Sequence, residues 1–278
     1  MLNRILVPTD FSPCASYAGD LAIAIAAQAK SSVHFFHSAQ AHPFWDELSE
    51  QERNQFPETF AEMHQMERRF SEVLEAHKGK GVGMETSYSA GNLLQTVRKL
   101  IDKEAIDLMV MGSHGASGLQ EIVFGSNAQR LVRHAHCPVM VIKDEVPSSF
   151  SRIVFASDFG EAAIPAFDWM VKFAKLFDAE LMLLHIMPEA HYGGKQLAPP
   201  PSFEPFMERA DGAKVSIQSY TDLDIETGIN NFVDRSKADL VAMAHYHRPM
   251  LERILVGSLT EALINHMSVP VMSINVAK

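Results

Sequence analysis

Short apolar runs alternate along the chain with segments whose apolar residues recur every three or four positions. Uniformly apolar runs predict strands buried on both faces, and the longer spacing predicts amphipathic helices. The first half contains Ile5–Val7, Pro13–Ala29, Val33–His37, Met84–Tyr88, Leu93–Lys103, Leu108–Met111, Ser126–His134 and Val139–Ile142. The second half contains Ile153–Phe155, Ala162–Phe177, Leu181–Ile186, Val215–Ser219, Ile225–Ser236, Leu240–Met243, Leu259–Met267 and Val271–Ile274. This alternation predicts an α/β fold with doubly wound parallel sheets.

The two halves repeat one pattern. The segment Arg4–Phe11, RILVPTDF, returns 148 positions later as Arg152–Phe159, RIVFASDF. Near the other end, Gly125-Ser126 returns as Gly257-Ser258, and Pro138 corresponds to Pro270. Self-similarity over this length indicates tandem copies of one domain. We place copy one at residues 1–146 and copy two at residues 150–278, joined by a short linker.

The copies differ most in one long connection. In copy one, residues 58–77 have an apolar helical face, which predicts a covering helix. The predicted face consists of Phe60, Met63, Glu67, Phe70 and Leu74. In copy two, Gly193-Gly194 and three consecutive prolines predict an irregular loop over residues 191–206.

A glycine-rich loop follows the strand Leu108–Met111. It has the spacing Gly112-x2-Gly115-x9-Gly125-Ser126 and leads directly into a helix. Glycines permit positive φ and close approach of backbone N–H groups, and a helix N-terminus offers unpaired donors. The pattern predicts an anion site suited to phosphates. It is neither a Walker loop nor a GxGxxG fingerprint.

Asp10 ends the first strand and would flank the same crevice at the carboxyl end of the sheet. A carboxylate there could bind a ribose hydroxyl or orient water around a phosphate-bound Mg²⁺. Three alternatives without a ligand stay open: Asp10 as N-cap of the helix at Pro13, Ser126 as a cap alone, and His114 as an exposed turn histidine.

These residues together resemble a universal stress protein domain. The resemblance rests on Ile5–Ser12, the loop Met111–Gly115, its nine-residue spacing to Gly125-Ser126, and Pro138–Ile142, and it covers both copies. It implies five parallel strands in the order 3-2-1-4-5, as in the adenine nucleotide alpha hydrolase-like fold, and implies ATP binding with Mg²⁺. The nucleotide-binding residues it implies are Pro8, Thr9, Asp10, Ser38, Met111, Gly112, His114, Gly115, Gly125, Ser126 and Asn127.

Copy two departs from this pattern in the loop. Aligning Gly257 with Gly125 puts Ala244 opposite Gly112 and His247 opposite Gly115. Side chains at these positions would fill the space that phosphates need. We therefore expect one nucleotide per chain, in copy one. A metal such as Zn²⁺ is a further hypothesis for copy two, with His245 and His247 as ligands together with His185, Asp158 or His191.

Charge and composition narrow the range of functions that the chain could have. The formal net charge of −10 is shared equally, and no run of Lys or Arg occurs, which disfavours nucleic-acid and membrane partners. No apolar stretch has membrane-spanning length, so we expect a cytoplasmic protein. The two cysteines, Cys14 and Cys137, lack a metal or redox spacing.

The sequence favours a nucleotide-binding regulatory protein of the stress response. A slow ATPase is an alternative, although no nucleophile with a positioned base is evident. A non-nucleotide ligand held by copy two is another. We expect the last strands of the two copies, Val139–Ile142 and Val271–Ile274, to pair as apolar edges in an internal pseudo-dimer. A further homodimer is compatible with this arrangement.

Overall fold

The computed structural model describes residues 2–39, 47–90, 92–115, 124–189, 201–246 and 259–276. Contacts divide the chain into two compact units, Met1–Cys137 and Pro138–Lys278. Among the described residues, no helix is both long and apolar enough to cross a bilayer. The copy boundaries at residues 146 and 150 stay a prediction.

The first unit is a parallel sheet with helices between its strands. Its elements are β1 (Arg4–Pro8), α1 (Pro13–Ala29), β2 (Ser32–Ala39), α2 (Glu50–Arg53), α3 (Pro57–Ala76), β3 (Gly83–Ala90), α4 (Leu93–Glu104), β4 (Leu108–Gly112) and α5 (Ser126–His134). The strand order is β3-β2-β1-β4, with Pro8 opposite Phe36 and Ile5 opposite Leu108. Strands β1 and β4 are therefore neighbours, as the site at the carboxyl end of the sheet requires.

The second unit begins with the last strand of copy one. Its elements are β5 (Val139–Ile142), β6 (Arg152–Ala156), a 3₁₀ turn (Glu161–Ala163), α6 (Ile164–Phe177), β7 (Glu180–Pro188), α7 (Glu204–Met207), β8 (Lys214–Asp222), α8 (Ile225–Ser236), β9 (Leu240–Tyr246), α9 (259–266) and β10 (Val271–Val276). The strand order is β5-β10-β9-β6-β7-β8. Copy two thus shows the expected order 3-2-1-4-5.

The predicted pairing of the two last strands is confirmed. Strands β5 and β10 are antiparallel, with Val271 opposite Val141 and Ser273 opposite Val139. All four residues of β5 are buried. Pairing satisfies the backbone groups of two apolar strands that would otherwise present open edges.

The strands and helices are close to those predicted because the apolar spacing is unambiguous. Strand β1 has Ile5, Leu6 and Val7 fully buried, and four residues of β4 are buried in succession. Helix α1 begins where Ser12 accepts a hydrogen bond from Ala15 N and where Pro13 supplies a preset φ. It ends at Lys30, which adopts the left-handed conformation.

Two details of the long connections differ from prediction. In α3 the buried positions include Met66 and Phe70, whereas Glu67 is exposed. The predicted face included Glu67 at a point where the structure instead buries its apolar neighbour, Met66. In copy two, Glu204–Met207 forms one helical turn with Phe206 buried, where the sequence predicted only an irregular loop. Residues 190–200 lie outside the described part of the chain.

The repeat extends to individual backbone contacts. Asp107 Oδ2 accepts from Asn3 N at 2.6 Å and from Arg4 N at 3.1 Å. Its counterpart, Asp239 Oδ2, accepts from Ser151 N at 2.6 Å and from Arg152 N at 2.9 Å. Each carboxylate fixes the start of the first strand of its copy against the start of the fourth.

Candidate functional site

A cavity of about 230 Å³ lies at the carboxyl ends of β1, β2 and β4. All eleven residues predicted to bind nucleotide line this cavity. They are Pro8, Thr9, Asp10, Ser38, Met111, Gly112, His114, Gly115, Gly125, Ser126 and Asn127. Segments far apart in sequence meet here because parallel strands end at the same edge of the sheet.

A tight turn after β1 positions Asp10. Thr9 Oγ1 accepts from Phe11 N at 3.0 Å, and Asp10 Oδ1 accepts from Ser12 N at 3.0 Å. Phe11 adopts a positive φ of 62° within this turn. The N-cap of α1 is Ser12, so the alternative in which Asp10 caps that helix is wrong. The carboxylate instead holds the turn and borders the cavity.

Glycine is required at two loop positions because of space. A Cβ at Gly112 would lie 2.7 Å from Cys14 Sγ, and a Cβ at Gly115 would collide with Asp10 Oδ2. Of the two properties that glycine offers, positive φ and close approach, these positions use close approach: in the described chain the glycines with positive φ are Gly79, Gly81 and Gly212. The backbone at Gly115 instead packs directly against the Asp10 carboxylate.

The N-terminus of α5 forms another wall of the cavity. Its N-cap is Gly125, whose N–H donates to Ser113 O at 2.9 Å, and no side chain caps this helix. The alternative in which Ser126 acts only as a cap is therefore wrong, because Ser126 is the first helical residue. Ser126 and Asn127 are exposed, and the first turn of a helix carries N–H groups without intrahelical partners.

Two histidines border the cavity. His114 Nδ1 lies 2.9 Å from the hydroxyl of Ser113, a buried residue, so the loop itself orients this ring. His37, which the sequence analysis missed, has Nδ1 2.7 Å from Thr9 O, and its ring centroid is 5.2 Å from that of Phe11. The sequence could have pointed to His37, because it directly precedes the predicted site residue Ser38 at the end of β2.

The electrostatics of the cavity are set by backbone groups and one carboxylate. Among the described residues that line it, Asp10 is the acidic residue and neither Lys nor Arg occurs. An anionic group bound here must therefore rely on N–H donors and the helix dipole. The carboxylate of Asp10 would repel a bare phosphate, but it fits a ribose hydroxyl or a hydrated Mg²⁺.

Copy two has a cavity of about 260 Å³ at the corresponding place. Its lining consists of Ala156, Ser157, Asp158, Leu184, His185, Ile186, Ile225, Ile229, Met243, Ala244 and Leu259. The turn after β6 repeats that after β1, since Phe159 N donates to Ser157 Oγ at 3.0 Å and Gly160 N donates to Asp158 Oδ1 at 3.1 Å. The local backbone is thus conserved between copies while the lining has changed.

The structure describes only part of the predicted metal site. Asp158 and His185 both line the copy-two cavity, and burial lowers the pKa of His185, a shift that the nearby Asp158 charge opposes. The backbone of His245 lies within β9 opposite Asn275, so the chain has not turned at this residue. His191 and His247 lie outside the described residues, and the zinc hypothesis stays untested.

Elsewhere in the described chain, one cluster brings together three side chains that bind metals in other proteins. His34 Nδ1 lies 2.7 Å from Glu104 Oε2, and Glu85 completes the group. The guanidinium of Arg4 contacts both carboxylates, at 2.5 Å and 3.1 Å. Arg4 thus pairs with both carboxylates, and the cluster is an ion-pair network that joins β1, β2, β3 and the end of α4.

Both halves of the chain match the model of the universal stress protein family, over residues 1–143 and 149–275. Universal stress protein MJ0531 of Methanocaldococcus jannaschii is 28% identical over 151 residues, which cover 51% of this chain and 83% of that protein. YxiE of Bacillus subtilis is 27% identical over 150 residues, covering 51% of this chain and 100% of YxiE.

A solved structure extends the similarity to the full length. The crystal structure of a universal stress protein from Archaeoglobus fulgidus has a TM-score of 0.71 at 21% identity, covering 100% of this chain and 98% of the other. At this identity the match shows the fold, and the two family matches show the tandem organisation. The chain belongs to the universal stress protein family and carries one family domain in each half.

Proposed function

We propose that copy one binds one molecule of ATP with Mg²⁺, and that the bound nucleotide regulates the protein in a stress response. The observation that carries the proposal is the convergence of all eleven predicted residues on one cavity. They come from four separate stretches of chain that the fold alone brings together. The stress-response role follows from family membership.

The glycines support phosphate binding by backbone groups. Packing within the protein accounts for Gly112 and Gly115, which lie against Cys14 and Asp10. It does not account for Gly125, because a Cβ there would meet Ser113 O at an ordinary 3.5 Å. A glycine that internal packing does not require, at the start of a helix facing a cavity, suits close approach of a ligand.

The polar groups suit the other parts of the nucleotide. Asp10 is placed to accept a ribose hydroxyl or a water of hydrated Mg²⁺, while Gly112, Gly115, Ser126 and Asn127 would surround the phosphates. The first two strands would hold the base, beside Pro8, Thr9 and Ser38. Bound Mg²⁺ would supply the positive charge that the described lining lacks.

Calorimetry on the intact chain with Mg·ATP tests the proposal. We expect a single site per chain, and no second site of comparable affinity in copy two. Mass spectrometry of the ligand that co-purifies with the protein would independently identify a nucleotide. Two equivalent sites, or no binding by the intact chain, would overturn it.

A further inference from the structure

The copy-two cavity is apolar where the copy-one cavity is polar. Of the eleven described residues that line it, eight are apolar: Ala156, Leu184, Ile186, Ile225, Ile229, Met243, Ala244 and Leu259. Burying apolar surface is the main source of affinity in such a cavity. The lining therefore favours a ligand with little polar surface.

Residues at corresponding positions of the two copies show how the lining differs. The two copies share strand register, with Ala156 opposite Leu184 as Pro8 is opposite Phe36. In this register Ile186 of copy two replaces Ser38, and by the spacing from Gly257 and Gly125, Leu259 replaces Asn127. Both replacements substitute an aliphatic side chain for a polar one that faces the copy-one cavity.

Apolar surface continues to the solvent beside this cavity. Leu223 is 66% exposed, and Ile225, which lines the cavity, is 45% exposed. In the described part of the chain, the large apolar side chains with such exposure are Met207, Ile217, Leu223 and Ile225, and all four belong to the second unit. Exposed apolar surface next to an apolar cavity is typical of a binding site.

The polar groups of the cavity disfavour an anion. The carboxylate of Asp158 lies in the lining beside His185. A negatively charged ligand would be repelled, whereas a neutral one would not.

We propose that copy two binds a small neutral apolar molecule in this cavity, in place of a nucleotide. The proposal rests on the described residues of the lining. An apolar cavity of about 150 Å³ can hold a benzene ring, so about 260 Å³ accommodates one or two rings, such as a naphthyl group, or a short alkyl chain. The proposal does not depend on nucleotide binding by copy one.

The probe is N-phenyl-1-naphthylamine, a neutral dye whose fluorescence rises in apolar surroundings, titrated into the intact chain. We expect saturable binding of one dye per chain that excess Mg·ATP does not displace. The anionic dye 1-anilinonaphthalene-8-sulfonate should bind more weakly because of Asp158. Failure of the neutral dye to bind, displacement by Mg·ATP, or tighter binding of the anionic dye would each overturn the proposal.

Two substitutions locate the dye. Ile186→Ser introduces the copy-one residue and should weaken dye binding about tenfold, because apolar contact is lost. Ala244→Phe should fill the cavity and weaken binding at least as much. The matched control is Ile217→Ser, the same change at an exposed residue of β8 outside the lining. Circular dichroism checks that each variant is folded.

The variants also decide the outcome. Dye binding that is about tenfold weaker in a folded Ile186→Ser chain, with wild-type affinity in Ile217→Ser, supports the assignment. Equal affinity in the wild type, Ile186→Ser and a folded Ala244→Phe would place the dye elsewhere and overturn it. Should Ala244→Phe fail to fold, the pair of isoleucine variants still gives the answer.

Discussion

The two cavities occupy the same place in their sheets and are built on the same backbone. In both copies a hydroxyl accepts from a phenylalanine N–H, an aspartate accepts from the N–H two residues later, and the phenylalanine has positive φ. Yet the linings differ, with Ser38 and Asn127 in one and Ile186 and Leu259 at the corresponding positions of the other. The turn is part of the fold and is the same in both copies. The residues that face the cavity differ, and this difference changes which ligand each cavity favours.

Among the variants that test the difference between the copies, Gly115→Val should have the largest effect. The added side chain would collide with Asp10 and fill the cavity, at a cost on the order of 1 to 3 kcal/mol. Calorimetry should show ATP affinity falling roughly 5- to 100-fold. The matched control is Gly83→Val in β3, where a Cβ meets Ser32 Cβ at an ordinary 3.6 Å. Wild-type affinity in Gly115→Val would contradict the assignment of phosphates to this loop.

The next test concerns what the copies share. Asp107→Ala and Asp239→Ala each remove a carboxylate that accepts two backbone N–H groups. Each should lower the free energy of unfolding by about 1 to 2 kcal/mol in urea titrations. Asp168→Ala, which removes an exposed ion pair with Arg209, should change it by less than about 1 kcal/mol. If one of these two aspartate substitutions strongly lowered the free energy of unfolding and the other did not, the two carboxylates would not stabilise their copies equally.

A third pair separates the roles of the corresponding aspartates. Asp10→Ala should weaken Mg·ATP binding roughly tenfold, because a charge-assisted contact to the ribose or to hydrated Mg²⁺ is lost. Asp158→Ala should leave ATP affinity unchanged, because copy two is not expected to bind nucleotide. The measurement is calorimetry at matched Mg²⁺ concentration. If instead Asp158→Ala weakened ATP binding and Asp10→Ala did not, the nucleotide would have to be assigned to copy two.

The smallest effect concerns pH. Because burial lowers the pKa of His185 below its ordinary value of 6.5, protonation favours the unfolded chain. The contribution of this residue to stability is complete above pH 6.5 and is lost as the pH falls from there through the lowered pKa. His185→Gln should flatten this dependence in urea titrations between pH 7.5 and 5. If the free energy of unfolding depended on pH equally in His185→Gln and the wild type, the lowered pKa of His185 would be contradicted.

Cys14 and Cys137 illustrate how burial decides chemistry. Both thiols are buried. Burial raises the pKa of Cys137 to about 12, and the charge of Asp107 adds to the shift. Such a thiol is protonated at neutral pH and is a poor nucleophile. The sequence pointed the same way through the absence of any paired cysteine spacing.

The fold was predictable because its signals are local. Uniform apolar runs such as Leu108–Met111 identify buried parallel strands, and caps such as Ser12 and Asn92 mark helix starts. The helical turn Glu204–Met207 was missed because the surrounding glycines and prolines dominate its composition. Glu67 was placed on the buried face of α3 because it lies at helical spacing between Met63 and Phe70, whereas the structure buries the apolar Met66 instead.

The sequence by itself determined the tandem repeat, the α/β class and the candidate nucleotide residues, because each depends on residue type and spacing along the chain. Tertiary structure decided why the loop needs its glycines: the Asp10 carboxylate and Cys14 Sγ occupy the space where side chains at Gly115 and Gly112 would lie. It also decided that His37 joins one cavity and that the described lining of the other is mostly apolar. These features depend on distances between segments that are remote in sequence, and such distances exist only once the sheet has formed.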